Sequence, residues 1–250
     1  MSRKLDREST RHTHVTLAVV FEVRHDVLQV LLWERGRAPE RGSWALPGGA
    51  LGPAETLEAS IRRQLAAKVD VRRVAHLEQL GTWADPRRVP GRREIATVYL
   101  GLVPLGSDPI LPPDTRWHEI GSLPRTAFDH GEIALAGLDR LRAKLSYSNV
   151  AFGLAPATFT LAELRTIYVA VLGYPVSATN LRRVLERRAV ILPTGERRAS
   201  GPAGGRPAEV FRFSSASLEI TDPFAVFRPR SGGPVPGSDP GSASSPGRAR

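Results

Sequence analysis

A cationic helix face is predicted near the C-terminal end of the chain, over residues 177–189. Ser177 is a favourable N-cap residue, and Leu181, Val184 and Leu185 share one side of a helical wheel, where they can pack on another helix. The opposite side carries hydrogen-bonding and charged side chains: Thr179, Arg182, Arg183, Glu186 and Arg187. Such side chains suit contacts with phosphates and with base edges in the major groove of DNA.

The elements around this helix predict a winged helix-turn-helix over residues 159–221. An amphipathic helix is expected over 159–172, and Gly173-Tyr174-Pro175 ends it. Two short strands, 190–192 and 209–213, flank a Gly/Arg-rich loop in which Arg206 suits insertion into a minor groove. The residues predicted to contact DNA are Thr179, Asn180, Arg182, Arg183, Arg187 and Arg206.

A solvated arginine-rich surface is the alternative interpretation of this helix, because basic helix faces are common. Glu186 lies within the cationic side, which a pure phosphate binder would avoid. Glu186 either accepts a hydrogen bond from a cytosine amino group or pairs with Arg182 at i, i+4. The turn, the loop and the net charge together favour DNA binding.

A second set of residues, between Trp44 and Lys68, resembles the Nudix box, the sequence pattern of the Nudix family. Gly49, Glu55, Arg63 and Leu65 fall at the matching positions of that pattern, and the segment WALPGG before them resembles the family's lead-in. The resemblance extends over about residues 13–145 and implies an α+β fold, a Nudix-like α/β/α sandwich. In the family, three helix carboxylates hold divalent metal against a pyrophosphate. Here their positions carry Gln64, Ala67 and Lys68.

These three residues cannot build a magnesium site, because a hard cation requires oxygen ligands and an ammonium group repels it. We therefore predict no catalytic residue, no bound metal and no cofactor. The family resemblance still implies a pocket for a nucleotide diphosphate, with Lys68, Arg35 or Arg41 offsetting the phosphate charge. A vestigial pocket with a solvated Lys68 is the alternative. The predicted ligand-binding residues are Arg35, Arg41, Trp44, Gly48, Gly49, Glu55, Arg63 and Lys68.

Hydrophobic patterning predicts the elements that position these residues. Strands are expected over 14–23, 27–33, 76–83, 95–103 and 117–120, with helices over 56–69 and 131–145. Asp129 is expected to cap the second helix. The predicted division of the chain is a disordered N-terminus over 1–12, a Nudix-like domain over 13–147, a linker over 148–158, the winged helix-turn-helix domain and a disordered tail over 222–250.

Composition narrows the functional classes. The chain has 250 residues, of which 41% are hydrophobic, and it has no cysteine, so disulfides, thiolate metal sites and thiol nucleophiles are excluded. No apolar stretch reaches the roughly 20 residues of a membrane helix, and the first residues lack a signal-peptide pattern, so we expect a cytoplasmic protein without membrane contact. The net charge of +10 favours polyanionic partners.

A catalytically degenerate Nudix domain followed by a winged helix resembles the Nudix-related transcriptional regulators, the NrtR family. This resemblance covers about residues 13–213 and implies a dimeric repressor of NAD-metabolism genes that senses ADP-ribose or a related nucleotide. The implied partners are operator DNA, a nucleotide effector and a second copy of the chain. The alternatives are a Nudix hydrolase of ADP-ribose-type substrates with an accessory C-terminal domain, and a non-catalytic nucleotide-binding module that acts through protein partners.

Overall fold

A computed structural model describes residues 12–107, 109–199 and 207–222. Arg206 and most of both predicted disordered termini therefore lie outside the described residues. The described chain first forms a mixed unit of strands and two helices: β1 (Thr13–Arg24), β2 (Val27–Glu34), β3 (Trp44–Ala45), β4 (Gly48–Ala50), α1 (Leu57–Val69), β5 (His76–Trp83), β6 (Glu94–Leu102), β7 (Thr115–Glu119) and α2 (His130–Tyr147). The C-terminal unit follows: β8 (Phe159–Thr160), α3 (Leu161–Leu172), α4 (Ala178–Arg187), β9 (Ile191–Arg198) and β10 (Ala208–Phe213).

The sheet of the first unit is centred on β1. Its main strand order is β3-β2-β1-β6-β5, with β4 paired to β1 and β7 paired to β2. Strand β1 runs parallel to β6 and antiparallel to β2 and β4. A central strand that is covered on both faces should be mostly apolar. Strand β1 is of this kind, and it is buried from Val15 to Val23.

Alternate residues of β1 face opposite layers, as the two-residue period of a strand requires. Ala18 and Val20 join the α1 side chains Ile61 and Leu65 in one apolar cluster. Val19 and Phe21 instead join residues of α2 in a second, larger cluster. The result is a sheet with one helix on each face, which confirms the α/β/α sandwich expected from the sequence.

The C-terminal unit is a winged helix-turn-helix, as expected. Thr160 and Glu163 form a reciprocal capping box, so helix α3 begins at Leu161 rather than at the predicted residue 159. Gly173 ends α3 with a left-handed conformation (φ 80°), which glycine adopts without steric penalty. Ser177 accepts a hydrogen bond from the Asn180 amide and caps α4. Strands β8, β10 and β9 form the hairpin sheet beside these helices, and β9 continues past the predicted residue 192.

The segment predicted as a linker, 148–158, is packed rather than exposed. Residues 148–155 are all buried, and Val150–Gly153 form a short 3-10 helix. Val150, Leu154 and Phe159 belong to the same apolar cluster that contains the α2 core and the α3 core. Because its apolar side chains continue the core, this segment joins the two units through a shared interior. The domain boundaries themselves stay a prediction.

Asp129 differs from its predicted role. It occupies the N-cap position of α2, but its carboxylate makes no capping hydrogen bond to the helix backbone. Both of its oxygens instead accept hydrogen bonds from Arg88, at 3.0 and 2.8 Å. A buried guanidinium needs carboxylate partners, and this requirement takes the Asp129 side chain away from the helix amides. No helix of the described chain is long and apolar enough to cross a membrane.

Candidate ligand cavity and nucleic-acid interface

A cavity of about 400 Å³ opens beside β1, β2 and β4. Its lining combines apolar walls with four cationic side chains and one carboxylate among the described residues. The lining residues are Val15, Leu17, Trp33, Arg35, Arg37, Ala38, Ala45, Leu46, Gly48, Gly49, Lys68, Arg92, Glu94, Phe128 and His130. This excess of positive charge suits an anionic ligand, and the aromatic rings offer apolar contact area.

Two glycines form one wall of the cavity, and at Gly48 no larger residue fits against the backbone of β1. A Cβ atom on Gly48 would lie 2.1 Å from the carbonyl oxygen of Thr16, and Gly48 also has a positive φ of 155°. A Cβ atom on Gly49 would lie 2.6 Å from the Gln64 amide nitrogen. The Gly-Gly sequence therefore brings the β4 backbone against β1 and α1, with its polar atoms at the cavity wall.

The three positions that carry metal-binding carboxylates in the Nudix pattern have a different chemistry here. Gln64 is buried and donates a hydrogen bond to the Ala50 carbonyl at 3.3 Å. Lys68 donates to the carbonyl oxygen of Gly48, and Ala67 contributes an exposed methyl group. The described residues include no group of three or more His, Asp or Glu side chains that could hold a metal ion. This donor set does not fit magnesium, which needs oxygen ligands.

The Lys68 ammonium is held at the cavity wall by a carbonyl oxygen and an aromatic face. Besides its contact with Gly48, its nitrogen lies 5.6 Å from the centre of the Trp33 ring. Burial lowers the pKa of Lys68, and the nearby charges of Arg63 and Arg35 lower it further. An anion in the cavity would raise the pKa of Lys68 again, because it stabilises the charged ammonium.

Arg35 is directed by the loop that follows β2. Its guanidinium donates to the Pro39 carbonyl from Nε at 3.2 Å and from Nη2 at 3.1 Å. It also lies 4.9 Å from the centre of the Phe128 ring, a cation–π distance. Burial and the neighbouring Arg92 lower the pKa of Arg35. Planar guanidinium groups placed in this way can bind phosphate through two parallel hydrogen bonds.

A network of buried charges supports the far wall of the cavity. The Arg88 side chain is only 1% exposed and donates to Glu94 at 2.7 Å as well as to Asp129. The second oxygen of Glu94 lies 2.6 Å from Arg92, whose side chain is half-exposed. Glu94 therefore balances two arginines, one buried and one half-exposed in the cavity lining.

His130, the first residue of α2, is a neutral part of the same wall. Its Nδ1 atom accepts a hydrogen bond from the Leu46 amide at 2.9 Å. Burial lowers the pKa of His130 to about 4, and this effect outweighs the attraction of Asp129. A neutral imidazole that accepts a backbone hydrogen bond orients the wall without adding charge to it.

The structure brings together half of the predicted ligand-binding residues. Arg35, Gly48, Gly49 and Lys68 line the cavity. The other four lie outside its lining: Arg41, Trp44, Glu55 and Arg63.

Those four residues have local contacts that account for their positions. Arg63 and Glu55 form an ion pair on the surface of α1, and Glu55 also accepts from the Gly52 amide at 2.9 Å. Hydrogen bonding to Arg63 and to this amide lowers the pKa of Glu55 to about 2. Trp44 meets the His118 ring edge-on at 4.2 Å, and Arg41 donates to the Gly36 carbonyl. These contacts brace the loops beside the cavity.

Sequence reasoning missed several lining residues, among them Arg37, Arg92, Glu94, Phe128 and His130. Except for Arg37, they come from loops and element ends that are distant in sequence from the Nudix-like segment, so spacing alone gives no signal for them. The structure also places Trp33 in the lining. A cluster of arginines around the β5–β6 connection was the available signal for Arg92.

Helix α4 presents the predicted cationic face to solvent. Leu181 and Leu185 are buried, whereas the polar side is exposed: Thr179, Asn180, Arg182, Arg183, Glu186 and Arg187. Arg183 donates to the Asn180 side chain at 2.8 Å, so these two residues form one hydrogen-bonding unit near the start of the helix. A helix with one buried stripe and one exposed cationic stripe can enter a major groove.

Arg182 is held by two carboxylates. It donates to Glu186 at 2.8 Å and to Glu209 of β10 at 3.1 Å, and its guanidinium lies 5.4 Å from the centre of the Phe211 ring. The contact with Glu186 is one of the two roles that the sequence left open for that residue. In β9, Arg198 donates to Glu163.

Comparison with known proteins gives a match for each unit. The NUDIX domain family matches residues 11–136, and the family described as the NrtR DNA-binding winged helix domain matches residues 151–213.

Two relatives of known function cover different shares of the chain. The first is the ADPR responsive transcriptional repressor NtrR of Acinetobacter baylyi, which is 29% identical over 84% of this chain and 86% of its own length. The second is an ADP-ribose pyrophosphatase of Methanocaldococcus jannaschii, which is 29% identical over 52% of this chain and 78% of its own length.

Solved structures share the whole two-unit fold. Shewanella oneidensis NrtR complexed with a 27mer DNA superposes with a TM-score of 0.72 at 30% identity, covering 80% of this chain and 93% of that one. A MutT/nudix family protein from Enterococcus faecalis has a TM-score of 0.68 at 22% identity, with coverage of 82% and 89%. At 22% identity, the second match shows a shared fold and nothing further.

Proposed function

The chain belongs to the Nudix family and carries an NrtR-type winged helix domain, and from this premise we propose that it is a transcriptional repressor controlled by a nucleotide. The proposed effector is ADP-ribose or a closely related nucleotide diphosphate, and the proposed targets are operators of NAD-metabolism genes. The similarity to a repressor described as responsive to ADPR, over 84% of this chain, supports the choice of effector.

The contact between Lys68 and the Gly48 carbonyl is the observation on which this proposal rests. An ammonium group occupies the position where a family hydrolase carries a metal-binding carboxylate, and it binds the carbonyl oxygen at the cavity wall. Positive charge from Lys68, Arg35 and Arg92 then takes over the neutralisation of phosphate that a dication supplies elsewhere. The cavity is therefore proposed to bind a diphosphate without metal and without hydrolysing it.

A hydrolase of ADP-ribose is the second candidate, favoured by the similarity to a pyrophosphatase over 52% of this chain. Hydrolysis requires an activated water and charge neutralisation at the scissile phosphate, and in this family both come from metal held by carboxylates. Gln64, Ala67 and Lys68 provide no carboxylate for that purpose. We therefore propose that the protein is not an enzyme.

The exposed face of α4 is proposed to contact operator DNA, with Thr179, Asn180 and Arg183 near base edges and Arg187 near the phosphate backbone. Arg206 is proposed to enter a minor groove. A single winged helix contacts few base pairs, so we propose a homodimer whose two α4 helices meet a palindromic site about one helical turn apart. The proposed place of action is the cytoplasm.

Calorimetric titration of ADP-ribose, with Mg²⁺ and with EDTA, tests the effector proposal. Equal affinity in both buffers is expected, together with unchanged ADP-ribose in the recovered solution. Binding that requires Mg²⁺, or steady release of phosphate-containing products, would contradict the proposal and favour the hydrolase.

Recovery of genomic DNA fragments on the purified full-length protein tests the DNA proposal. We expect enrichment of a small set of promoter fragments that share a palindrome, with affinity that falls steeply as salt rises. Uniform recovery of all fragments would indicate a solvated basic surface without sequence preference.

A further inference from the structure

Helix α2 connects the ligand cavity to the C-terminal unit. Its first residue, His130, lines the cavity, and its last two residues, Ser146 and Tyr147, lie where the C-terminal segment packs. A helix of 18 residues spans about 27 Å. Because all backbone groups in its interior are hydrogen-bonded, such a helix moves as one body rather than bending locally.

The cavity end of α2 is anchored to one lining residue, Leu46, and to the buried side chain of Arg88. The Leu46 amide donates to His130, and Arg88 makes two hydrogen bonds to Asp129 at the helix N-terminus. Arg88 also donates to Glu94 of the cavity lining. Any change in the charge balance at Glu94 therefore reaches the first turn of α2 through a single buried guanidinium.

The opposite end of α2 is bonded to the residue that ends the α4 helix. Arg188, which follows α4 directly, donates to the Ser146 carbonyl at 2.8 Å and to the Asp222 carboxylate at 2.6 Å. The Tyr147 carbonyl accepts from the Thr221 amide at 2.8 Å, so the segment before residue 223 is tied to the same helix end. The Arg188 side chain is only 17% exposed.

No free hinge separates these two ends within the described chain. Arg142 of α2 donates to the Val171 carbonyl of α3 at 2.9 Å. Leu145, Ile167 and Leu185, from α2, α3 and α4, lie in one apolar cluster. The three helices therefore share a packed interior, in which a shift of one must be accommodated by the others.

We propose that Arg188 is a positioning residue that couples occupancy of the cavity, through α2, to the orientation of α4 on DNA. The inference rests on the proposed function, because it requires an anionic effector in the cavity. An anion that draws Arg92 away from Glu94 leaves Glu94 to Arg88, and Arg88 holds the start of α2. Arg188 then carries the position of the α2 end to the end of α4.

Such coupling is a difference in DNA affinity between the free and the effector-bound protein, and in allosteric proteins it is typically about 5–150-fold. By linkage, DNA must change the affinity for the effector by the same factor. Removal of a connecting residue should reduce this factor while leaving each separate binding site intact.

Arg188→Ala and its matched control Arg187→Ala test the coupling in the full-length protein. The affinity for a genomic fragment that the unmodified protein retains is measured with and without saturating ADP-ribose, and the affinity for ADP-ribose is measured by calorimetry. Arg187→Ala removes the same charge from the exposed face, so it should weaken DNA binding equally in both conditions. Arg188→Ala should reduce the ADP-ribose effect to less than about twofold, with ADP-ribose affinity unchanged.

The possible outcomes separate this inference from the proposed function. If the unmodified protein shows no ADP-ribose effect on DNA, the proposed function is overturned and the coupling with it. If the effect exists and Arg188→Ala retains it in full, only the coupling is overturned.

Hydrogen exchange on the unmodified protein gives a test that needs no folded variant. ADP-ribose should change the protection of the amides of residues 146–149 and 188–190, and unchanged protection at both places would also overturn the coupling.

Discussion

The ammonium group of Lys68 donates a hydrogen bond to the main-chain carbonyl of Gly48. This single contact joins α1 to the glycine wall of the cavity and places an ammonium group there. Under the proposed function, this charge takes the place of the metal that a hydrolase uses to bind a diphosphate. The first prediction follows from it.

Replacing Lys68 by Gln should weaken ADP-ribose binding about tenfold or more in the absence of metal. The amide keeps a donor for the Gly48 carbonyl but removes the charge that pairs with phosphate, and hydrogen bonds to charged groups contribute about 1.5–3 kcal/mol. Arg62→Gln is the matched control, because Arg62 is exposed on the same helix and pairs with Glu58. Calorimetry measures both, and equal affinity in the two variants would exclude a role for the Lys68 charge.

The free energy of unfolding should decrease as pH falls from 6.5 toward 4, by up to about 3 kcal/mol from His130. The folded state lowers the pKa of His130 from 6.5 to about 4, so the unfolded chain binds the proton more readily in this window. The contribution of His130 to stability is therefore complete above the unfolded pKa of 6.5 and is lost as the pH falls toward about 4. Burial also lowers the pKa of His118, which contributes in the same direction.

His130→Asn should flatten most of this pH dependence, because the Asn carbonyl can accept from the Leu46 amide without titrating. His25→Asn is the control, since His25 is exposed in the β1–β2 turn. Urea unfolding at several pH values measures the slope, and an unchanged slope in His130→Asn would mean that folding does not lower the pKa of His130.

The double substitution of Arg182 and Arg183 by Ala should weaken operator binding by roughly 100-fold and leave ADP-ribose affinity unchanged. Each arginine contributes a phosphate or base contact, and each such contact is worth about 1–3 kcal/mol. The matched control is the double substitution of Arg72 and Arg73, two adjacent exposed arginines outside the winged helix unit. Mobility shift measures both, and equal losses would indicate that only net charge matters.

Ala189→Gly should stabilise the protein by about 0.5–1 kcal/mol. Ala189 follows the end of α4 with a φ of 52°, a left-handed conformation that disfavours a Cβ atom and that glycine adopts freely. Ala143→Gly, at an exposed position inside α2, should instead destabilise by about 1 kcal/mol. Urea unfolding compares the two, and a loss of stability in both would show that the strain at Ala189 is negligible.

Local sequence signals predicted most elements of the fold. Ser177 caps α4 as predicted, and the apolar run over 14–23 predicted strand β1. For 148–158 the sequence predicted a linker. Val150 and Leu154 in that segment are fully buried, because they fill the space where two units share a core. A local pattern carries no information about such a neighbour.

The ligand cavity was predictable only in part, for the same reason. Gly48, Gly49 and Lys68 belong to one continuous segment that resembles the Nudix pattern, and this resemblance implied that they lie together. Phe128 and His130 reach the cavity through the chain that enters α2, and their approach depends on long-range packing. Arg63 and Glu55 also match the pattern, but they form an ion pair beside the adjacent loop and do not line the cavity.

The ion pairs of Arg182 with Glu186 and Glu209 bear on how the protein would search a genome. In the free molecule Glu186 and Glu209 occupy this guanidinium, so a passing phosphate must compete with two carboxylates. Non-specific DNA would then be bound more weakly and would dissociate faster. Only a site whose base edges replace both carboxylates offsets the loss of those ion pairs. The two ion pairs would therefore increase the difference in residence time between the operator and other sequences.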